Sequence, residues 1–60
     1  MNYTQRIYEL ISKDLYHGEY DLKDDNALTE IPTDELAIGS TAFSPSGKLF
    51  YYNGTEWVGV

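Results

Sequence analysis

The residues able to do acid–base, nucleophilic or metal chemistry are few in this chain and poorly placed for it. His17 is the single imidazole, and there is no cysteine. A serine nucleophile at Ser12, Ser40, Ser44 or Ser46 would need His17 as its base, and none of the four lies in the Gly-x-Ser-x-Gly turn that exposes such a hydroxyl. Paired carboxylates could act as general acid and base, but one of them then needs bulky neighbours that strip its water and raise its pKa. The acids Asp21, Asp24, Asp25, Glu30, Asp34 and Glu35 lie in a polar stretch, which predicts a solvated acidic face. A calcium loop requires oxygen ligands at alternate positions, a glycine and a distant glutamate. Lys23 breaks that pattern counted from Asp21, and Leu28 breaks it counted from Asp24. Gly39, Gly47, Gly54 and Gly59 stand singly, as turn glycines do, and form no phosphate cradle. A non-enzymatic chain with no metal and no cofactor is therefore the expectation.

What remains is binding chemistry. The net charge of −6 is concentrated in one stretch, where Glu19, Asp21, Asp24, Asp25, Glu30, Asp34 and Glu35 face Lys23 alone. The flanking parts each balance, Arg6 and Lys13 against Glu9 and Asp14 on one side and Lys48 against Glu56 on the other. Such a patch repels phosphate backbones and anionic membrane surfaces, so neither nucleic acid nor membrane is expected as a direct partner. Tyrosine is abundant, at Tyr3, Tyr8, Tyr16, Tyr20, Tyr51 and Tyr52, and tyrosine and tryptophan favour interfaces because one side chain supplies apolar area and a hydrogen bond together.

Size points the same way. A domain of 60 residues buries only about 60% of the surface its unfolded chain exposes, and small scaffolds usually recover the margin with disulfides, a metal or association. Without cysteine, and with one histidine, association is the remedy left, and a homo-oligomer is expected. No apolar block of signal-peptide length follows Met1-Asn2-Tyr3-Thr4-Gln5-Arg6, which predicts a cytosolic, unprocessed, soluble product.

Three parts would position these groups. In residues 1–18, Ile7, Leu10, Ile11 and Leu15 recur at helical spacing with Tyr3 one turn earlier, predicting an amphipathic helix at about residues 3–16. Asn2 with Gln5 reads as its capping box, and Gly18 as its left-handed stop, with His17 beside the helix end. Residues 19–35 show neither the helical nor the strand period and read as an acidic linker or extended arm, with Pro32 holding Ile31 extended. Residues 36–60 read as a three-stranded antiparallel β-meander, turned at Pro45-Ser46-Gly47 and Asn53-Gly54. A two-residue turn at Asn53-Gly54 sets Phe50 opposite Trp57; a four-residue loop sets Tyr52 opposite Trp57 instead. The fold class expected is α+β in one small domain over residues 1–60: short N-terminal helix, acidic arm, C-terminal meander.

The stretch Ile31-Pro32-Thr33-Asp34-Glu35-Leu36-Ala37-Ile38-Gly39-Ser40-Thr41-Ala42, followed by Gly47-Lys48-Leu49-Phe50-Tyr51-Tyr52-Asn53-Gly54-Thr55-Glu56-Trp57-Val58, resembles a pattern of small structural proteins of tailed bacteriophages and prophages. Those proteins run Leu-Pro-Thr, a short acidic step, Gly-Ser-Thr-Ala, an aromatic strand, Asp-Gly or Asn-Gly, and Trp. The likeness covers about the last thirty residues, with isoleucine here before Pro32. It implies a virion component, such as a minor head, fibre-base or decoration protein, made in the bacterial host cytoplasm, and it carries over no catalytic residue. Such a protein would self-associate and dock on capsid or tail proteins, through Ile7, Leu10, Ile11 and Leu15 of the helix and Phe50, Tyr51, Tyr52 and Trp57 of the sheet. The competing expectation is a small acidic regulator whose arm, from Glu19 to Glu35, imitates a nucleic-acid backbone and occupies a basic groove on a host protein.

Overall fold

The computed structural model describes residues 2–60, and its organising element is a single five-stranded sheet in the order β1-β2-β3-β4-β5, with strands Tyr3–Ser12, Leu15–Leu22, Thr41–Phe43, Leu49–Tyr52 and Trp57–Gly59. All neighbours pair antiparallel except β2 and β3, which run parallel. The only helical element among the described residues is one 3-10 turn, Ala27–Glu30.

The expected α+β class is thereby overturned: residues 3–16 form no helix but a hairpin, β1 against β2. Tyr3, Thr4, Ile7, Tyr8 and Ile11 are aromatic or β-branched and suit a pleated surface at least as well as a helix. What decides between the two is the partner. From Tyr16 to Leu22 the chain alternates, with Tyr16, Gly18, Tyr20 and Leu22 on one face and His17, Glu19 and Asp21 on the other, so β2 offers a ladder to which β1 pairs. The connection is only Lys13-Asp14, without the glycine or asparagine that marks most tight hairpins. Register shifts between Gln5 and Ile7 and between Leu10 and Ser12 leave Arg6 and Ile11 as extra residues on β1, and these bulges mimic the threefold spacing of a helix.

Gly18 is therefore no helix stop. It sits in β2 because the Tyr20 ring folds back over it: a Cβ at this position would lie 2.7 Å from Tyr20 Cε2. His17, likewise, is at no helix end, but lies mid-strand with Nε2 3.0 Å from Glu19 Oε2.

The acidic arm is also corrected. Its first residues belong to β2, and residues 23–40 form the crossover that the parallel β2–β3 pairing requires. Asp24 Oδ1 accepts the Asn26 N–H at 2.8 Å to start the 3-10 turn, and Ala27 and Ile31 drop into the core with Tyr20, Leu22, Ala42 and Tyr52. The chain then rejoins the sheet edge: Tyr16 donates to Glu35 O and Ala37 donates to Tyr16 O, at 2.8 and 2.7 Å, bridging Leu36 to Tyr16. Ser40, wholly buried, locks the return by donating its hydroxyl to Ala37 O at 2.8 Å and accepting the Gly18 N–H at 3.0 Å.

The three C-terminal strands pair antiparallel, and the register of the last hairpin is the one with the longer loop. Tyr52 opposes Trp57, Tyr51 opposes Val58 and Phe50 opposes Gly59. Asn53 organises the four-residue connection through its side chain, Oδ1 accepting the N–H groups of Thr55 and Glu56 at 2.8 Å each, with Gly54 at φ 100°. That side-chain cap competes with the tight two-residue turn and displaces Trp57 from Phe50 to Tyr52, with ring centroids 5.5 Å apart.

Candidate interaction surfaces

Alternation divides the sheet into a covered face and an open one. On the covered face, beneath the crossover, Tyr20, Leu22, Ala42 and Tyr52 are buried, with Tyr3, Leu28, Phe50 and Trp57 packed against them. Tyr20 meets Tyr3 edge-on at 5.7 Å and Trp57 at 6.4 Å between centroids. Burial pushes its phenol up to about 12, with Tyr8 and Tyr3 adding to the rise. Of the four aromatic residues expected at an interface, Tyr52 is thus a core residue, Phe50 and Trp57 are half-buried against the core, and Tyr51 alone faces out.

The open face has two halves. On β3, β4 and β5 it shows Thr41, Phe43, Leu49, Tyr51 and Val58, an uncharged strip in which Phe43 opposes Leu49, Thr41 opposes Tyr51, and Tyr51 opposes Val58. Phe43 and Leu49 are 48% and 40% exposed. On β1 and β2 the same face is ionic. Arg6 Nε donates to Asp21 Oδ2 at 3.0 Å, its guanidinium lies 3.8 Å from Glu19 Oε1, and His17 reaches the other Glu19 oxygen. Ile7, half-buried opposite Glu19, lies at the edge of this ionic half.

A second apolar group sits at the far end of the β1–β2 hairpin, beyond the reach of the crossover. Leu10 and Ile11 are 58% and 57% exposed, and Leu15 is exposed beside them. Leu10 opposes Tyr16, Leu15 lies on the other face, and Ile11 is the bulged residue, so both faces of the hairpin end carry apolar side chains next to the charged Lys13-Asp14 turn. Tyr8 stacks on Tyr16 below it, centroids 4.5 Å apart and rings nearly parallel. The Tyr8 phenol is raised by desolvation, then by the Glu35 carboxylate, Tyr16 and Asp34. The residues expected as a helix stripe thus stay together in part: Leu10, Ile11 and Leu15 at the hairpin end, Ile7 separated along the strand.

The acids are largely engaged within the chain. Asp21 pairs with Arg6, Asp24 accepts the Asn26 N–H ahead of the 3-10 turn, Asp25 accepts from Ser46 Oγ at 3.3 Å, and Glu30 accepts from Asn2 Nδ2 at 3.0 Å. Asp34 and Glu35 are exposed near the Tyr8 hydroxyl. Among the described residues no three His, Cys, Asp or Glu side chains gather as a metal site, and no helix is long and apolar enough to cross a membrane.

The hairpin was the signal that sequence reasoning missed. The alternation Tyr16-His17-Gly18-Glu19-Tyr20-Asp21-Leu22 is there to be counted, but reading Gly18 as a stop cuts it in two. Comparison with family models, curated proteins and solved structures found no match to this chain.

Proposed function

We propose that this chain is a non-enzymatic structural protein of a tailed-phage virion, a minor head, fibre-base or decoration component that self-associates and docks on a larger assembly. One observation carries the assembly reading: the exposed apolar end of the β1–β2 hairpin, where Leu10, Ile11 and Leu15 extend beyond the part of the sheet that the crossover covers. Three large apolar side chains on a projecting two-stranded tip find no cover within the fold, and inserting such a tip into a groove on a neighbouring protein buries them on both faces. The virion setting rests on the resemblance of residues 31–58 to small phage structural proteins. The acidic-regulator reading has less support, because Asp21, Asp24, Asp25 and Glu30 are used to hold the chain's own structure.

The test is quantitative mass spectrometry of washed virus particles from cells that make this chain. Presence at a fixed ratio to the major capsid subunit, lost when Ile11→Asp is substituted in a chain that still folds, supports the reading. Absence from particles, with the chain abundant in the infected cells, overturns it.

A further inference from the structure

We infer that Asn53 is a site of self-modification, where the Gly54 backbone nitrogen attacks the Asn53 side-chain amide and water then leaves an aspartate, the loop between β4 and β5 supplying hydrogen-bond donors that favour both steps. The inference stands apart from the assembly reading, since it needs only this loop and water.

An asparagine side chain is open to attack by the nitrogen of the next residue, which closes a small imide ring, and a glycine in that place leaves the nitrogen unshielded. Three observations bring Asn53-Gly54 to this reaction. Gly54 has φ 100°, and a Cβ on it would lie 3.1 Å from Ile38 Cγ1, so the position is held by a residue with no side chain. Among the described residues the Gly54 N–H donates to no backbone or side-chain acceptor, which leaves its proton free to be removed. Asn53 itself is exposed, and its Oδ1 accepts the N–H groups of Thr55 and Glu56 at 2.8 Å each. When the nitrogen attacks Cγ, negative charge develops on Oδ1, where two backbone donors already stand, the arrangement of an oxyanion hole.

The other two asparagines lack these conditions. The residue after Asn26 is Ala27, whose N–H is already donated to Asp24 O at 3.0 Å. Asn2 is followed by the large, half-buried side chain of Tyr3, and its own Nδ2 donates to Glu30 Oε2 at 3.0 Å.

The reaction balances with water alone. Hydroxide takes the Gly54 N–H proton, the N–Cγ bond forms, and the Cγ–Nδ2 bond breaks as ammonia leaves with a proton from solvent. Water then opens the imide. Addition at Cγ breaks the new N–Cγ bond, returns a proton to the Gly54 nitrogen and leaves aspartate on an unaltered backbone. Addition at the backbone carbonyl instead leaves iso-aspartate, with the chain rerouted through Cβ. The Thr55 and Glu56 donors polarise the Cγ carbonyl and so direct water to the first course. The resulting carboxylate accepts the same two N–H groups with the added strength of its charge, which preserves the pairing of Tyr52 with Trp57.

The test incubates the full chain at mildly alkaline pH, follows each asparagine over days by mass mapping of its proteolytic peptides, and separates aspartate from iso-aspartate by chromatography. The same chain held unfolded in urea is the reference, and circular dichroism verifies the folded samples. Asn53 is expected to convert while Asn2 and Asn26 keep their amides, at least about threefold faster in the fold than in urea. Aspartate should predominate in the fold and iso-aspartate in the unfolded chain. Thr55→Pro removes one of the two donors and should slow the conversion toward the unfolded rate; where circular dichroism shows that this variant does not fold, the product ratio of the unsubstituted chain carries the test. An Asn53 that keeps its amide in the fold while the unfolded chain converts overturns the inference. A folded chain that converts with the rate and product ratio of the unfolded one overturns it as well.

Discussion

The two faces of the sheet are built from similar residues and have opposite fates. Tyr20, Phe50 and Tyr52 on one face and Phe43, Leu49 and Tyr51 on the other are all large and apolar or aromatic, yet Tyr20 is 1% exposed and Tyr51 39%. The difference lies in the crossover. Because β2 and β3 run parallel, the chain must return across the sheet, and residues 23–40 do so over one face only, laying Ala27 and Ile31 on it. Residue type alone therefore does not mark a core position in a chain this small; the cover does.

That contrast breaks most sharply by truncation. Tyr20→Ala removes a buried ring that touches Tyr3 and Trp57, at a cost of about 3–5 kcal/mol. This rivals the whole stability of a 60-residue domain, roughly 3–9 kcal/mol. The variant is expected to be unfolded or nearly so by circular dichroism. Tyr51→Ala on the open face should cost less than about 1 kcal/mol at a concentration where the chain is monomeric. Similar losses from the two would mean that the open face is covered after all.

Titration separates the faces next. With its folded pKa raised to about 12, Tyr20 stays neutral in the fold at a pH where the unfolded chain ionises. Its contribution is whole below about pH 10 and is lost as pH rises toward 12, on the order of 2 kcal/mol. Urea unfolding followed from pH 9 to 12 should show that fall, and Tyr20→Phe should flatten it. A fall of the same size in Tyr20→Phe would assign it to other groups.

The link between crossover and sheet is tested at Ser40. Ser40→Ala leaves the buried Gly18 N–H without its acceptor, at a cost of about 1–3 kcal/mol, and amide exchange at Gly18 should accelerate. The smallest effect is expected at Trp57, whose Nε1 is buried without a hydrogen-bond partner. Trp57→Phe loses ring area but removes that donor, so thermal unfolding should show a change within about 1 kcal/mol.

Legibility in the sequence follows the range of the interactions involved. The C-terminal strands announce themselves through local turn chemistry at Pro45-Ser46-Gly47 and Asn53-Gly54. The loop that Asn53 closes is four residues rather than two because its side chain takes two backbone N–H groups. The N-terminal hairpin gives no such signal: Lys13-Asp14 is an unmarked turn, and the bulges at Arg6 and Ile11 shift Ile7, Leu10 and Ile11 into helical spacing. Of the residues expected at an interface, Leu10, Ile11, Leu15 and Tyr51 are exposed in the fold. That Phe50, Tyr52 and Trp57 turn inward while Phe43 and Leu49 turn outward cannot be read from the sequence, since both sets alternate equally well.

Composition, charge placement and the turns of the last strands are properties of neighbouring residues, and the sequence determined them by itself: a chain without cysteine, with one histidine, an acidic middle and a C-terminal hairpin. Tertiary structure decided the rest. Residues 3–12 became a strand because β2 offered them a ladder, and Gly18 became part of that ladder because Tyr20 needed the space above it. One face became core because the parallel step from β2 to β3 sent the crossover over it. Each of these outcomes depends on groups distant in sequence or on a choice between two ladders, and a local pattern carries no information about which partner will be there.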